Sequence, residues 1–133
     1  MAIRTDYTVY PEADSSGNPI PVVLENYNGM ARAELAQPVT LDDLYIICEP
    51  RVRKTVDPSR QLRFTYRGLT APGGDFVVTV GHVESSYAPD AEGNFQTSIG
   101  PVACPYGYET GGIRLWDIGY AIAHEMFDGA EDC

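Results

Sequence analysis

Six of the nine basic residues in this 133-residue chain fall between positions 51 and 67: Arg51, Arg53, Lys54, Arg60, Arg63 and Arg67, with Asp57 the one acidic residue among them. That window carries +5 in a chain whose net charge is −10, which leaves −15 for everything else. Guanidinium and ammonium groups gathered this closely suit the phosphates of a nucleic acid, where each contact releases condensed counterions. The acidic remainder opposes indiscriminate binding. The expectation is one basic surface on an acidic body; a solvated charged hairpin is the plainer alternative.

The rest of the chain carries no recognisable catalytic constellation. His82 and His124 have no carboxylate or cysteine at the spacing of a metal site or nucleophile triad, and both read as structural. Cys48, Cys104 and Cys133 match no paired metal spacing, and their odd number leaves at least one thiol without an internal partner. Cys48 and Cys104 read as buried thiols, Cys133 as exposed. Gly107, Gly111 and Gly112 lack the Lys-Ser/Thr pair of a phosphate loop. Asp42-Asp43 and the tail residues Asp128, Glu131 and Asp132 are neighbours that an acidic chain produces by chance, with no calcium-loop pattern around them. No active site, metal or cofactor is assigned, and the chain is expected not to be an enzyme.

What must position the basic window is a sheet. With 13 glycines, 10 prolines, 44% hydrophobic and 21% charged residues, the chain suits a single domain rich in strands and turns. Its longest apolar runs, Leu44–Cys48 and Ile118–Ala123, fall far short of the roughly 20 residues that cross a bilayer. The N-terminus lacks the apolar stretch of a secretory signal. The chain is therefore expected to be complete, cytosolic and without a membrane partner.

Asp6–Tyr10 and Ile20–Leu24, around the turn cluster Ser15-Ser16-Gly17-Asn18, read as an edge hairpin within residues 1–28. Asn28-Gly29 marks a second turn, and Met30–Leu35 reads as a strand in preference to one helical turn. Asp43–Lys54 and Arg60–Leu69, joined across Asp57-Pro58-Ser59, form the clearest pair. Alternation separates Leu62, Phe64 and Tyr66 from Gln61, Arg63, Thr65 and Arg67. On the first strand it separates Leu44, Ile46, Cys48 and Val52 from Tyr45, Ile47, Glu49, Arg51 and Arg53. One face is core and the other basic, with Pro50 an edge or bulge position. Asp75–Tyr87 and Phe95–Cys104 complete a five-stranded antiparallel meander within residues 29–104, with Pro89–Asn94 a polar loop between them.

Residues 110–128 supply the one helix, Ile113–Asp128, with Thr110 as a cap and Gly129 as its stop. Leu115, Ile118, Ile122 and Met126 make one apolar stripe; Trp116, Tyr120, Ala123 and Phe127 make a second. A helix lying on a sheet needs only one. The second stripe wants either another copy of the chain, which would make it a dimer interface, or wide burial in a monomeric core. The fold class is α+β.

This order of elements resembles the coat proteins of single-stranded RNA bacteriophages, the levivirus-like capsid family. The resemblance rests on Asp43-Leu44-Tyr45-Ile46-Ile47-Cys48-Glu49-Pro50-Arg51-Val52-Arg53-Lys54, a polar turn, and Arg60-Gln61-Leu62-Arg63-Phe64-Thr65-Tyr66-Arg67, which look like the long basic hairpin in the middle of that family's sheet. It rests also on Phe95–Cys104, Pro105, a polar loop and Ile113–Phe127, which look like its last strand leading into dimer-forming helices. Length and element order match along nearly the whole chain, while no short motif is diagnostic. The resemblance implies a homodimer with a shared sheet and interlocked helices, self-assembly into an icosahedral shell around single-stranded RNA, and residence in a virion assembled in the bacterial host cytoplasm. RNA would meet Arg51, Arg53, Lys54, Arg60, Arg63, Thr65 and Arg67; the partner subunit would meet Trp116, Tyr120, Ala123 and Phe127. By position, Pro89–Asn94 would gather around the symmetry axes of the shell. Where the family lines a base pocket with small hydroxyl residues, this chain has Ile47 and Glu49, so phosphate contact with weak base selectivity is expected. A small acidic β-rich module that engages a basic protein partner is the alternative.

Overall fold

The computed structural model describes residues 2–53, 61–103, 115–127 and 129–132. Within them the chain forms β1 (Ile3–Val9), β2 (Glu12–Ala13), β3 (Pro19–Ile20), β4 (Val22–Tyr27), β5 (Met30–Leu35), β6 (Val39–Val52), β7 (Leu62–Leu69), β8 (Phe76–Ser85), β9 (Asn94–Thr97), β10 (Gly100–Ala103), α1 (Leu115–Met126) and β11 (Glu131–Asp132). Seven strands make one antiparallel sheet in the order β10-β9-β8-β7-β6-β1-β11, with the hairpins β2-β3 and β4-β5 beside it. A mostly antiparallel sheet with one C-terminal helix fits the α+β class.

The centre of the sheet follows the alternation of the sequence. Leu62, Phe64 and Tyr66 of β7 are fully buried, as is Ile46 of β6, and Leu44 and Cys48 nearly so. The residues between them are only half-buried. Val52 departs from this pattern: it shares the parity of the core residues but ends β6 exposed. Pro50 fits inside β6 because of where β1 stops. Cys48 donates its backbone N–H to the Tyr120 hydroxyl, away from β7, and strand N–H groups alternate in direction, so the Pro50 nitrogen points to the same side. β1 pairs only as far as Ile46, and no ladder bond is lost there.

The N-terminal half differs from the expected edge hairpin. The turn at residues 15–18 is flanked only by the two-residue strands β2 and β3, while β1 crosses to pair with β6. Asp42 and Asp43 together oppose Asp6, a bulge in which Asp43 takes a left-handed φ of 52° and donates its N–H to the Asp6 carboxylate. The extra residue lets Leu41 and Leu44, three apart, both face the core. Met30–Leu35 does not join the large sheet: it pairs with β4 across Asn28-Gly29. Both turn residues have positive φ, 51° and 80°, the backbone that a two-residue hairpin requires. The segment expected as one strand over 95–104 folds back on itself as β9 and β10, so the meander runs β6 to β10.

α1 packs on the core face of β6 and β7. A Cβ at Gly119 would stand 2.4 Å from Cys48 Sγ, so a glycine sets the helix-to-sheet distance. Tyr66 donates its hydroxyl to the Gly119 carbonyl at 2.5 Å. Gly129, with φ 74°, turns the chain out of the helix, and β11 then pairs with β1. Thr110, the remainder of the expected helix start, Cys104 and Cys133 lie outside the described residues. No helix among the described residues is long and apolar enough to cross a membrane.

Candidate functional site

The helix leaves the opposite face of β6, β7 and β8 to the residues of the basic window. Register sets them in three rows across the strands: Arg51, Arg63 and Glu84; Glu49, Thr65 and His82; Ile47, Arg67 and Thr79. Arg53 follows at the end of β6, held by a backbone bond to the Gln61 carbonyl. Four expected RNA contacts, Arg51, Arg53, Arg63 and Arg67, thus share one face with Thr65. Lys54 and Arg60 lie outside the described residues.

This face is not uniformly positive. Arg67 pairs with Glu49 at 2.9 Å and lies over the Phe76 ring, 4.8 Å from its centroid. Arg53 pairs with Glu84. Arg4, on β1, pairs with Asp43 at 3.0 Å and stacks over Tyr45. Pairs this exposed contribute no more than about 1 kcal/mol each, so an incoming phosphate can displace the carboxylates. Arg51 makes no ion pair among the described residues, and the Nε of Arg63 is buried without a hydrogen-bond partner. Thr65 Oγ1 lies 3.0 Å from His82 Nδ1. Five arginines, Arg4 included, against the carboxylates of Asp43, Glu49 and Glu84 leave the described face net positive.

His82, read from the sequence as structural, belongs to this surface, as do Glu84 and Phe76, which were not singled out as site residues. Their alternation along β8 is visible there, but the face they join depends on the pairing of β8 with β7, which shifts register at Tyr66/Arg67 and at Gly68/Leu69.

The packing of α1 buries much of the expected dimer stripe within its own chain. Tyr120 and Ala123 are buried at 4% and 0% exposure, and Phe127 sets its ring edge-on to Tyr7 and Tyr66 of its own chain. The first stripe is covered too, with Ile118 and Ile122 buried. The curled sheet takes both stripes because β1 reaches around to β8, where the Tyr7 hydroxyl donates to the Val80 carbonyl. Of the second stripe Phe127 is half-buried and Trp116 is open, at 51% exposure.

On the core side, burial, and secondarily the Glu49 charge, push the Cys48 thiol up to about 12 against the lowering effect of its bond with Tyr66. Tyr66 is raised as well, chiefly by burial. These groups are inert rather than poised for chemistry. No cluster of three or more metal-ligating side chains occurs among the described residues. His124 instead meets Asp132 at 2.7 Å, tying α1 to β11. No protein-family model, curated protein or solved structure matches the chain.

Proposed function

We propose that this chain is a structural rather than catalytic protein: a coat-type subunit that contacts single-stranded RNA through the helix-free face of β6–β8 and associates with copies of itself into an icosahedral shell, in a virion assembled in the bacterial host cytoplasm. The observation that carries the reading is the in-register placement of Arg51, Arg63 and Arg67 with Thr65, on the face away from α1. Among the described residues the helix lies on the other side of the sheet, which supports RNA contact on this one. Contact is with phosphate, since guanidinium groups dominate the face and Ile47 offers no hydrogen bond to a base edge.

The test is the salt dependence of binding. Changing Arg63 and Arg67 together to Gln lowers the log–log salt slope for a single-stranded RNA by about 0.7 per lost contact, and lowers the RNA recovered with assembled protein. The same change at Arg32, on β5, leaves the slope unaltered. An unchanged slope in the double variant moves RNA off this face.

A second reading is favoured by the glutamates that hold Arg53 and Arg67: an acidic β-rich module that engages a basic protein partner. Size-exclusion chromatography and negative-stain images separate the two, because only the first yields particles of virus-like size.

A further inference from the structure

One pair on the proposed RNA face can change its hydrogen-bonding character. His82 stands in register with Thr65, its Nδ1 3.0 Å from Thr65 Oγ1. Arg63 and Arg67 flank Thr65 two residues to either side, about 6.8 Å away along the strand, and the buried Arg63 Nε has no hydrogen-bond partner among the described residues. We infer that His82, Thr65 and Arg63 form one phosphate site that opens when His82 takes up a proton; this rests on the reading of the face as RNA-binding.

The chemistry follows from the donor inventory. A neutral imidazole has one acceptor nitrogen and one N–H. With Nδ1 as acceptor, the Thr65 hydroxyl donates its only proton to it and has none for an anion. When a proton from water adds to Nδ1, that nitrogen donates to Thr65 Oγ1 instead. The hydroxyl hydrogen is released to turn outward, and Nε2–H is a further outward donor. From the other tautomer, protonation at Nε2 reaches the same state. The site gains one positive charge and closes no covalent bond.

Charges of both signs surround the ring. The charged groups that face it are Glu49, across β7, Glu84, further along β8, and Arg51, Arg63 and Arg67. On the other side β9 meets β8 at the uncharged Thr97. β4 meets it with Asn26 on the Phe76 carbonyl, and β1 with the Tyr7 hydroxyl on the Val80 carbonyl. A phosphate placed among the arginines adds negative charge beside the ring. Phosphate binding and protonation of His82 then strengthen each other by the same factor.

The experiment measures binding of an oligouridylate to the intact protein at about pH 7.5 and about pH 5.5, across which an imidazole gains its proton, for wild type and His82→Asn. Acidification also neutralises carboxylates, and the variant supplies that background. Wild type tightens about tenfold more than the variant, the effect of one charge-assisted contact, and its salt slope grows by about 0.7 more. In the NMR titration of wild type, the oligouridylate moves the His82 midpoint upward. Equal tightening in the two proteins, or a His82 titration that the oligouridylate does not move, overturns the phosphate site and leaves the face RNA-binding. No binding by either protein at either pH overturns the site and the face together.

Discussion

Gly119 is where a single side chain would decide the packing of the molecule. Alanine there gains about 1 kcal/mol of helix propensity, but its methyl group would meet Cys48 Sγ at 2.4 Å and Phe64 Cδ1 at 2.9 Å. Both neighbours are held in the core, and overpacking of this kind costs about 1–3 kcal/mol. Gly119→Ala is therefore expected to lower the urea midpoint, with a net loss of up to about 2 kcal/mol; a raised midpoint places the helix further from the sheet. Cys48 adds a pH dependence. In the folded protein its thiol keeps its proton up to about 12, whereas the unfolded thiol loses it near 9.0. Between those limits the unfolded chain binds fewer protons, so stability falls as pH rises, by about 1 kcal/mol per pH unit. Denaturation at a series of pH values above 9 shows a shallower fall in Cys48→Ala, and parallel curves assign the effect to other groups.

Among the elements, β6 and β7 were legible because a period of two is local. The alternation Leu44, Ile46, Cys48 against Leu62, Phe64, Tyr66 names the core face without knowledge of any partner. The crossing of β1 to β6 was not legible, because it joins residues almost forty positions apart and depends on a bulge that breaks the period at Asp42-Asp43. The stripes of α1 were legible only in part: periodicity marks Tyr120 and Ala123 as apolar-facing but cannot say whether the covering surface belongs to the same chain. The bulge itself is testable. Asp43 sits at φ 52°, where a β-branched residue is strained by about 1–3 kcal/mol. Asp43→Val is expected to lower the melting temperature clearly. Asp43→Gly gives up the exposed pair with Arg4 but relieves the backbone, and its melting temperature stays near wild type. Equal melting temperatures for the two variants count against the bulge.

At the scale of the whole molecule, the segregation of charge was legible from composition, whereas the carboxylates that hold Arg53 and Arg67 depend on strand register and were not. The same scale decides how copies of the chain meet. Because Tyr120, Ala123 and Phe127 are engaged within the chain, association through the helix, on the proposed coat-type reading, concentrates on Trp116. An exposed Trp contributes little to the fold of one subunit, yet a Trp buried at the centre of an interface costs about 2 kcal/mol or more when truncated. Trp116→Ala is thus expected to leave the urea midpoint of the dilute protein almost unchanged while weakening self-association about thirtyfold, the equivalent of that energy. Sedimentation velocity over a concentration series measures the second quantity and denaturation the first. A fall in stability with association intact would make Trp116 part of the core after all. Unchanged association with unchanged stability would take the helix out of the subunit contact and turn attention to the edge strand β10.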